Sequence, residues 1–85
     1  MNAVLERLLD RLEQDLGEFR PMTEDDAIWK SSLAEAERYW ALWRRIAELF
    51  QLARPFLGQG STSSQRRRFW LGLRLTSKVR RLDRP

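Results

Sequence analysis

The chain contains no histidine and no cysteine, and those two absences bound its chemistry tightly. Without an imidazole or a thiol there is no Ser-His or Cys-His nucleophile pair, no imidazole acid-base catalysis and none of the usual zinc sites. Disulfides are excluded too, so the redox state of the compartment leaves no mark. An enzyme would be restricted to carboxylate chemistry. Glycine (4) and proline (3) are scarce, so each marks a break worth reading. No stretch approaches the ~20 apolar residues that a membrane-spanning helix needs. The opening run, MNAVLERLLDRLEQ, is acidic and amphipathic, unlike the basic start and apolar core of a signal peptide. The expectation is a cytoplasmic protein that is not an enzyme, with no catalytic residues, metal, cofactor or small-molecule substrate.

What is present is concentrated in one place. At 85 residues there is room for one domain and one modest core, worth roughly 4 to 13 kcal/mol. The stretch 23–54 carries Trp29, Trp40 and Trp43 of the four tryptophans, and the one tyrosine, Tyr39. A seven-residue repeat runs through Ala36, Tyr39, Trp43, Ile46, Phe50, Ala53 and Leu57, the seam spacing of a helix packed on other helices. Trp40 and Ala47 flank it on one side and Leu42, Leu49 and Phe56 on the other. That arc is too wide for a surface helix. It calls for cover from two sides, by the chain itself, a second copy or a partner.

Along the chain, Leu5, Leu8, Leu9, Leu12, Leu16 and Phe19 predict an amphipathic helix over about 2–19, ended by Arg20-Pro21. Thr23 then reads as the N-cap of a long central helix over about 23–54, with Glu24, Asp25 and Asp26 favouring its dipole. An unbroken helix of that length would measure roughly 48 Å, against a diameter on the order of 31 Å for a compact chain of this size. Either the molecule is elongated or the helix breaks, and Ser32-Leu33-Ala34-Glu35 is the candidate break because it reads as a second capping box. The apolar spacing across the serines favours continuity. Pro55 stops the helix near Ala53, with Phe56 and Leu57 turning back onto the core. Residues 59–64 form a Gly/Ser linker between an acidic helical body, 1–58, and a basic segment, 65–85. In that segment Leu71, Leu75, Val79 and Leu82 make a helical stripe, while Phe69, Leu71, Leu73 and Leu75 also alternate as a strand would. A lone strand has no partner here, so the segment reads as a helix with Gly72 as its weak point and Ser63 or Ser64 as its cap. The fold class is therefore all-α: an elongated three-helix protein with a long central helix, completed by self-association or by a partner.

Charge divides the same way. Residues 1–58 carry 8 Lys and Arg against 11 Asp and Glu, and residues 59–85 carry 8 against Asp83 alone, giving −3 and +7. Arg66, Arg67, Arg68, Arg74, Lys78, Arg80 and Arg81, interleaved with Phe69 and Trp70, are candidates for contacts to a nucleic-acid backbone. No base-reading motif accompanies them. The competing reading buries the aromatics and leaves the arginines solvated or paired with the acidic body. A basic membrane-surface helix ranks below both, because the stripe is imperfect. Trp29, Trp40, Trp43, Phe50 and Trp70 are the candidate protein interface, since so short a chain has little mass to cover them. Two functional readings follow: an assembly subunit or adaptor that packs on protein partners or on itself and touches nucleic acid, or a small regulator that blocks a host protein. Glu24, Asp25 and Asp26 point in different directions on a helix and offer no convergent active site.

Overall fold

The computed structural model describes residues 2–24 and 32–82, with side chains described over 2–22 and 32–76. Three α-helices, α1 (Ala3–Glu24), α2 (Leu33–Ala53) and α3 (Ser63–Leu82), account for most of it, and a 3-10 turn, Arg54–Gly58, extends α2. Among the described residues there is no strand, so Phe69–Thr76 is helical. Asp15 meets Arg45 while Phe19, further along α1, meets Tyr39, so α1 and α2 run antiparallel. Glu6 meets Arg68 while Leu16 faces Gly72, so α3 runs parallel to α1. Helix α1 packs along both neighbours. The backbones of α2 and α3 stay farther apart, bridged by Phe50 edge-on to Phe69 at 5.3 Å.

The helix boundaries follow from local chemistry, and three of them differ from the expectation. The Asn2 side-chain oxygen accepts from the amides of Val4 and Leu5, both at 3.1 Å, and so caps α1. That helix does not stop at Arg20; it passes through Pro21 to Glu24. Proline removes the bond to the carbonyl four residues back, here that of Gly17, where even an added Cβ would meet nothing within 4 Å, so water can reach it. Just before the proline, Phe19 is 2% exposed, and just after it Met22 packs on the core. Those contacts favour continuing the helix. Thr23 therefore lies inside α1 and opens nothing. Helix α2 begins instead at Leu33, with Ser32 extended at φ −142° and ψ 133° and its hydroxyl accepting from the Glu35 amide, the serine half of the second capping box. The predicted continuous helix from Thr23 is thus not formed; Asp25, Asp26 and Trp29 lie outside the described residues.

Helix α2 ends at Ala53 ahead of Pro55, as the sequence suggests, and Phe56 and Leu57 turn back onto the core. The serine-rich connection is a built turn. Gly60 takes φ +71°, the left-handed region that glycine enters without penalty, and Asn2 Nδ2 donates to the Gln59 carbonyl. Thr62, not Ser63 or Ser64, caps α3: Gln65 N donates to Thr62 Oγ1 at 3.1 Å, and Thr62 N donates to Gln65 Oε1 at 3.0 Å. This reciprocal pair is a capping box with glutamine in the acidic position.

The core gathers Leu5, Leu9, Leu12 and Phe19 from α1, Tyr39, Leu42, Ile46, Phe50 and Ala53 from α2, and Phe69 from α3. The heptad seam of α2 is the buried one, except that Trp43 and Ala36 are only half-buried. The stripe expected on α3 is wrong. Leu71 and Leu75 are exposed, and Gln65, Phe69, Gly72 and Thr76 face inward. Gly72 permits this: a Cβ there would lie 3.2 Å from Leu16 Cδ1 and 3.3 Å from Phe50 Cζ, so glycine lets α3 lie close, and Phe69 fills the core one turn away. The molecule is elongated, 44 × 19 × 17 Å with a radius of gyration of 13.9 Å, against about 12 Å for a compact chain of this length. Both ways out of the length conflict are taken, a break and an elongated shape.

Two glycine substitutions separate these roles. Gly72→Val is expected to lower unfolding free energy by about 1–3 kcal/mol through overpacking, whereas Gly17→Ala, with open space around it, raises it by about 0.5–1 kcal/mol. Urea titration followed by circular dichroism measures both. Tolerance of valine at Gly72 would contradict the close helix approach.

Candidate interaction surfaces

Helix α1 places Glu6, Asp10 and Glu13 at four- and three-residue steps, hence on one face. All three converge on Arg68: Nη1 to Glu6 Oε1 at 2.5 Å, Nη2 to Asp10 Oδ1 at 2.6 Å, and Nε to Glu13 Oε1 at 2.6 Å. Hydrogen bonds to Glu13 and Asp10 hold the Arg68 guanidinium well above its ordinary pKa, against a smaller downward push from burial. Gln65, itself buried, adds a bond from Nε2 to Glu6 Oε2 at 2.8 Å and another to the Asn2 carbonyl at 3.1 Å. Arg68 is thus committed inside the molecule and leaves the predicted nucleic-acid set, as pairing with the acidic body would have it.

A second charged contact was not anticipated. Asp15 is 1% exposed; its Oδ1 accepts from Arg45 Nη2 at 2.9 Å and lies 3.6 Å from Arg11 Nε. The signal was its register: Leu12, Asp15 and Phe19 share the core stripe of α1. Glu24 closes α1, so the N-terminal dipole does not account for it, and Asp25 and Asp26 lie outside the described residues. Among the described residues no group of acids is placed to hold a metal ion, and no helix is long and apolar enough to cross a membrane.

The remaining predicted basic residues divide by register. Arg66 donates from Nη1 to the Ser61 carbonyl at 2.9 Å and to the Ser61 hydroxyl at 3.1 Å, bracing the turn before α3. Arg67 and Arg74 are exposed. Seven residues apart, they lie on the side of α3 opposite Phe69, Gly72 and Thr76, and by register Lys78 and Arg81 continue that row. Arg80 falls off it. The side chains of Lys78, Arg80 and Arg81 are outside the described ones.

Three of the five predicted interface residues come together. A groove between α2 and α3 is lined by Trp43, Ala47, Phe50 and Gln51 of α2, by Arg54 at its end, and by Phe69, Trp70, Leu73 and Thr76 of α3. Phe50, 8% exposed, is its floor and belongs to the core. Trp70 is 53% exposed and stands edge-on to Phe69 at 5.2 Å. Trp40 is half-buried, edge-on to Tyr39 at 5.1 Å, and does not line the groove. Trp29 lies outside the described residues. Arg54, Phe69 and Leu73 were missed as groove residues, because the stripe assigned to α3 from its leucines turned that helix the wrong way. A second trough, between α1 and α3, runs past Leu12, Leu16, Leu71 and Leu75.

Comparison of the chain with protein-family models, with curated proteins and with solved structures returns no match.

Removing Arg68 leaves three carboxylates facing one another. Arg68→Ala is expected to cost about 1–2 kcal/mol, between the worth of an exposed ion pair and that of a buried one, while Arg67→Ala next to it stays within about 0.5 kcal/mol of the parent. Equal effects in chemical denaturation would show that the clamp contributes nothing specific.

Proposed function

We propose that this chain is a non-enzymatic helical adaptor that grips a protein partner in the groove between α2 and α3 and lays the outer face of α3 along a nucleic-acid backbone without reading bases. The observation that carries it is the groove itself. Helix α1 covers one side of α2 and of α3, and the seam between those two helices is left with an apolar floor and with Trp43 and Trp70 incompletely covered. Tryptophans so placed are the usual anchors of protein interfaces. The nucleic-acid half of the reading rests on Arg67 and Arg74, exposed on the face that turns away from the core, with Lys78 and Arg81 extending the row by register. Guanidinium groups in such a row suit phosphate oxygens at successive positions.

A regulator that blocks a host protein would use the same groove, with the arginines meeting an acidic patch on the target. The commitment of Arg68 to α1 removes one charge from either reading and leaves the row of Arg67 and Arg74 unchanged. Pull-down from the same lysate with and without nuclease separates the two: the adaptor carries nucleic acid until nuclease removes it, whereas a regulator carries its protein partner and no nucleic acid in either preparation.

Salt titration tests the nucleic-acid half. Four phosphate contacts from Arg67, Arg74, Lys78 and Arg81 predict that log affinity for duplex DNA falls with log salt at a slope of about −3.6, and that Arg67→Ala with Arg74→Ala brings it to about −1.8. Fluorescence anisotropy at several salt concentrations measures it. A flat dependence removes nucleic acid from the account.

A further inference from the structure

We infer that the occupant of the α2–α3 groove is an amphipathic helix with acidic flanks, contributed by a different protein. The inference rests on the reading of the groove as a docking site and names the chemistry that fits it. The floor is apolar, Phe50 and Phe69 below Trp43, Trp70 and Leu73. From Trp43 to Arg54 it extends roughly 16 Å along α2, the length of three helical turns. An apolar stripe at three- and four-residue steps fills such a trough.

Charge on the lips selects the partner. On α2 the lip is continued by Arg44, Ala47, Gln51 and Arg54, which share a face; Arg44 and Arg54 are both exposed. On α3, Arg66 shares a stripe with Trp70 and Leu73 and is exposed as well; one of its guanidinium nitrogens is held on Ser61, which leaves its charge at the edge of the groove. Among the described residues no carboxylate lines the groove; Glu48, one turn on from Arg44, lies a further step around α2, outside it. A helix whose flanks carry Glu or Asp meets positive charge on both sides.

A second copy does not meet that requirement. Groove against groove would bring arginine lips onto arginine lips, a like-charge contact at a self-complementary interface. The acidic row of α1, Glu6, Asp10 and Glu13, is already taken by Arg68.

The test uses the full chain and two labelled helical peptides of about 15 residues, each with the same leucine stripe, one flanked by Glu and the other by Lys. By fluorescence anisotropy the Glu peptide should bind at least about tenfold tighter, Trp70→Ala should weaken it by about tenfold or more, and Arg54→Glu with Arg66→Glu should reverse the preference. Trp70, Arg54 and Arg66 are all exposed, and circular dichroism checks that helicity is kept. If both peptides bind equally, or the Lys peptide binds better, the acidic occupant is wrong and the docking groove stands. If neither binds, the groove reading falls with it. Binding that ignores Trp70→Ala but is lost in Arg67→Ala, or is displaced by single-stranded DNA, places the peptide on the arginine face and overturns the inference. A concentration-dependent dimer whose dissociation follows Trp70→Ala would make the occupant a second copy.

Discussion

Arg68 lies among Glu6, Asp10 and Glu13, and this contact decides which side of α3 faces α1 and therefore which side is left for anything else. With the guanidinium drawn onto α1, the register of a helix places Phe69 and Gly72 inward, Trp70 toward α2, and Arg67 and Arg74 into solvent. Gly72 makes the arrangement possible at short range, since a side chain there would press on Leu16 and Phe50. A surface ion pair would be a weak reason for a helix orientation. Three carboxylates sharing one partly buried guanidinium, with Gln65 tied into the same network, are a stronger one.

The same clamp explains how much of the charge asymmetry is internal. A basic tail against an acidic body suggests an external polyanion, yet the centre of the triple arginine run is satisfied by the body. What α3 exposes opposite its core side is a single row, Arg67 and Arg74, rather than a broad patch. The aromatic surplus is divided as well: Tyr39 and Phe50 are core, Trp40 is half-covered against Tyr39, and the unresolved part of the surplus collects at the α2–α3 seam as Trp43 and Trp70.

The fold was legible where periodicity was long. The heptad from Tyr39 to Ala53 identified the buried seam of α2, and the leucines of α1 its stripe. Boundaries are less legible, because single residues compete there with tertiary contacts: Pro21 reads as a stop, but Phe19 and Met22 carry the helix through it, and of the two capping signals at Thr23 and Ser32 only the second is used. On α3 the leucine spacing suggested the wrong face. Glycine, glutamine and threonine at three of the four inward positions carry little hydrophobic signal, and the fit of Gly72 against Phe50 exists only once α2 is in place. The groove residues Trp43 and Trp70 were found as surplus aromatics; that Arg54, Phe69 and Leu73 join them depended on the rotation of α3.

The account depends on Trp70 standing in solvent at an open seam. Fluorotryptophan incorporation with fluorine NMR reads this directly in the intact chain, the Trp70 resonance being assigned by its loss in Trp70→Phe. The account predicts a solvent-isotope shift for that resonance well above that of a buried indole, as its 53% exposure requires, and unchanged on dilution. A Trp70 signal as insensitive to solvent as a core residue, at every concentration, would mean that the chain closes its own seam, and would contradict the account.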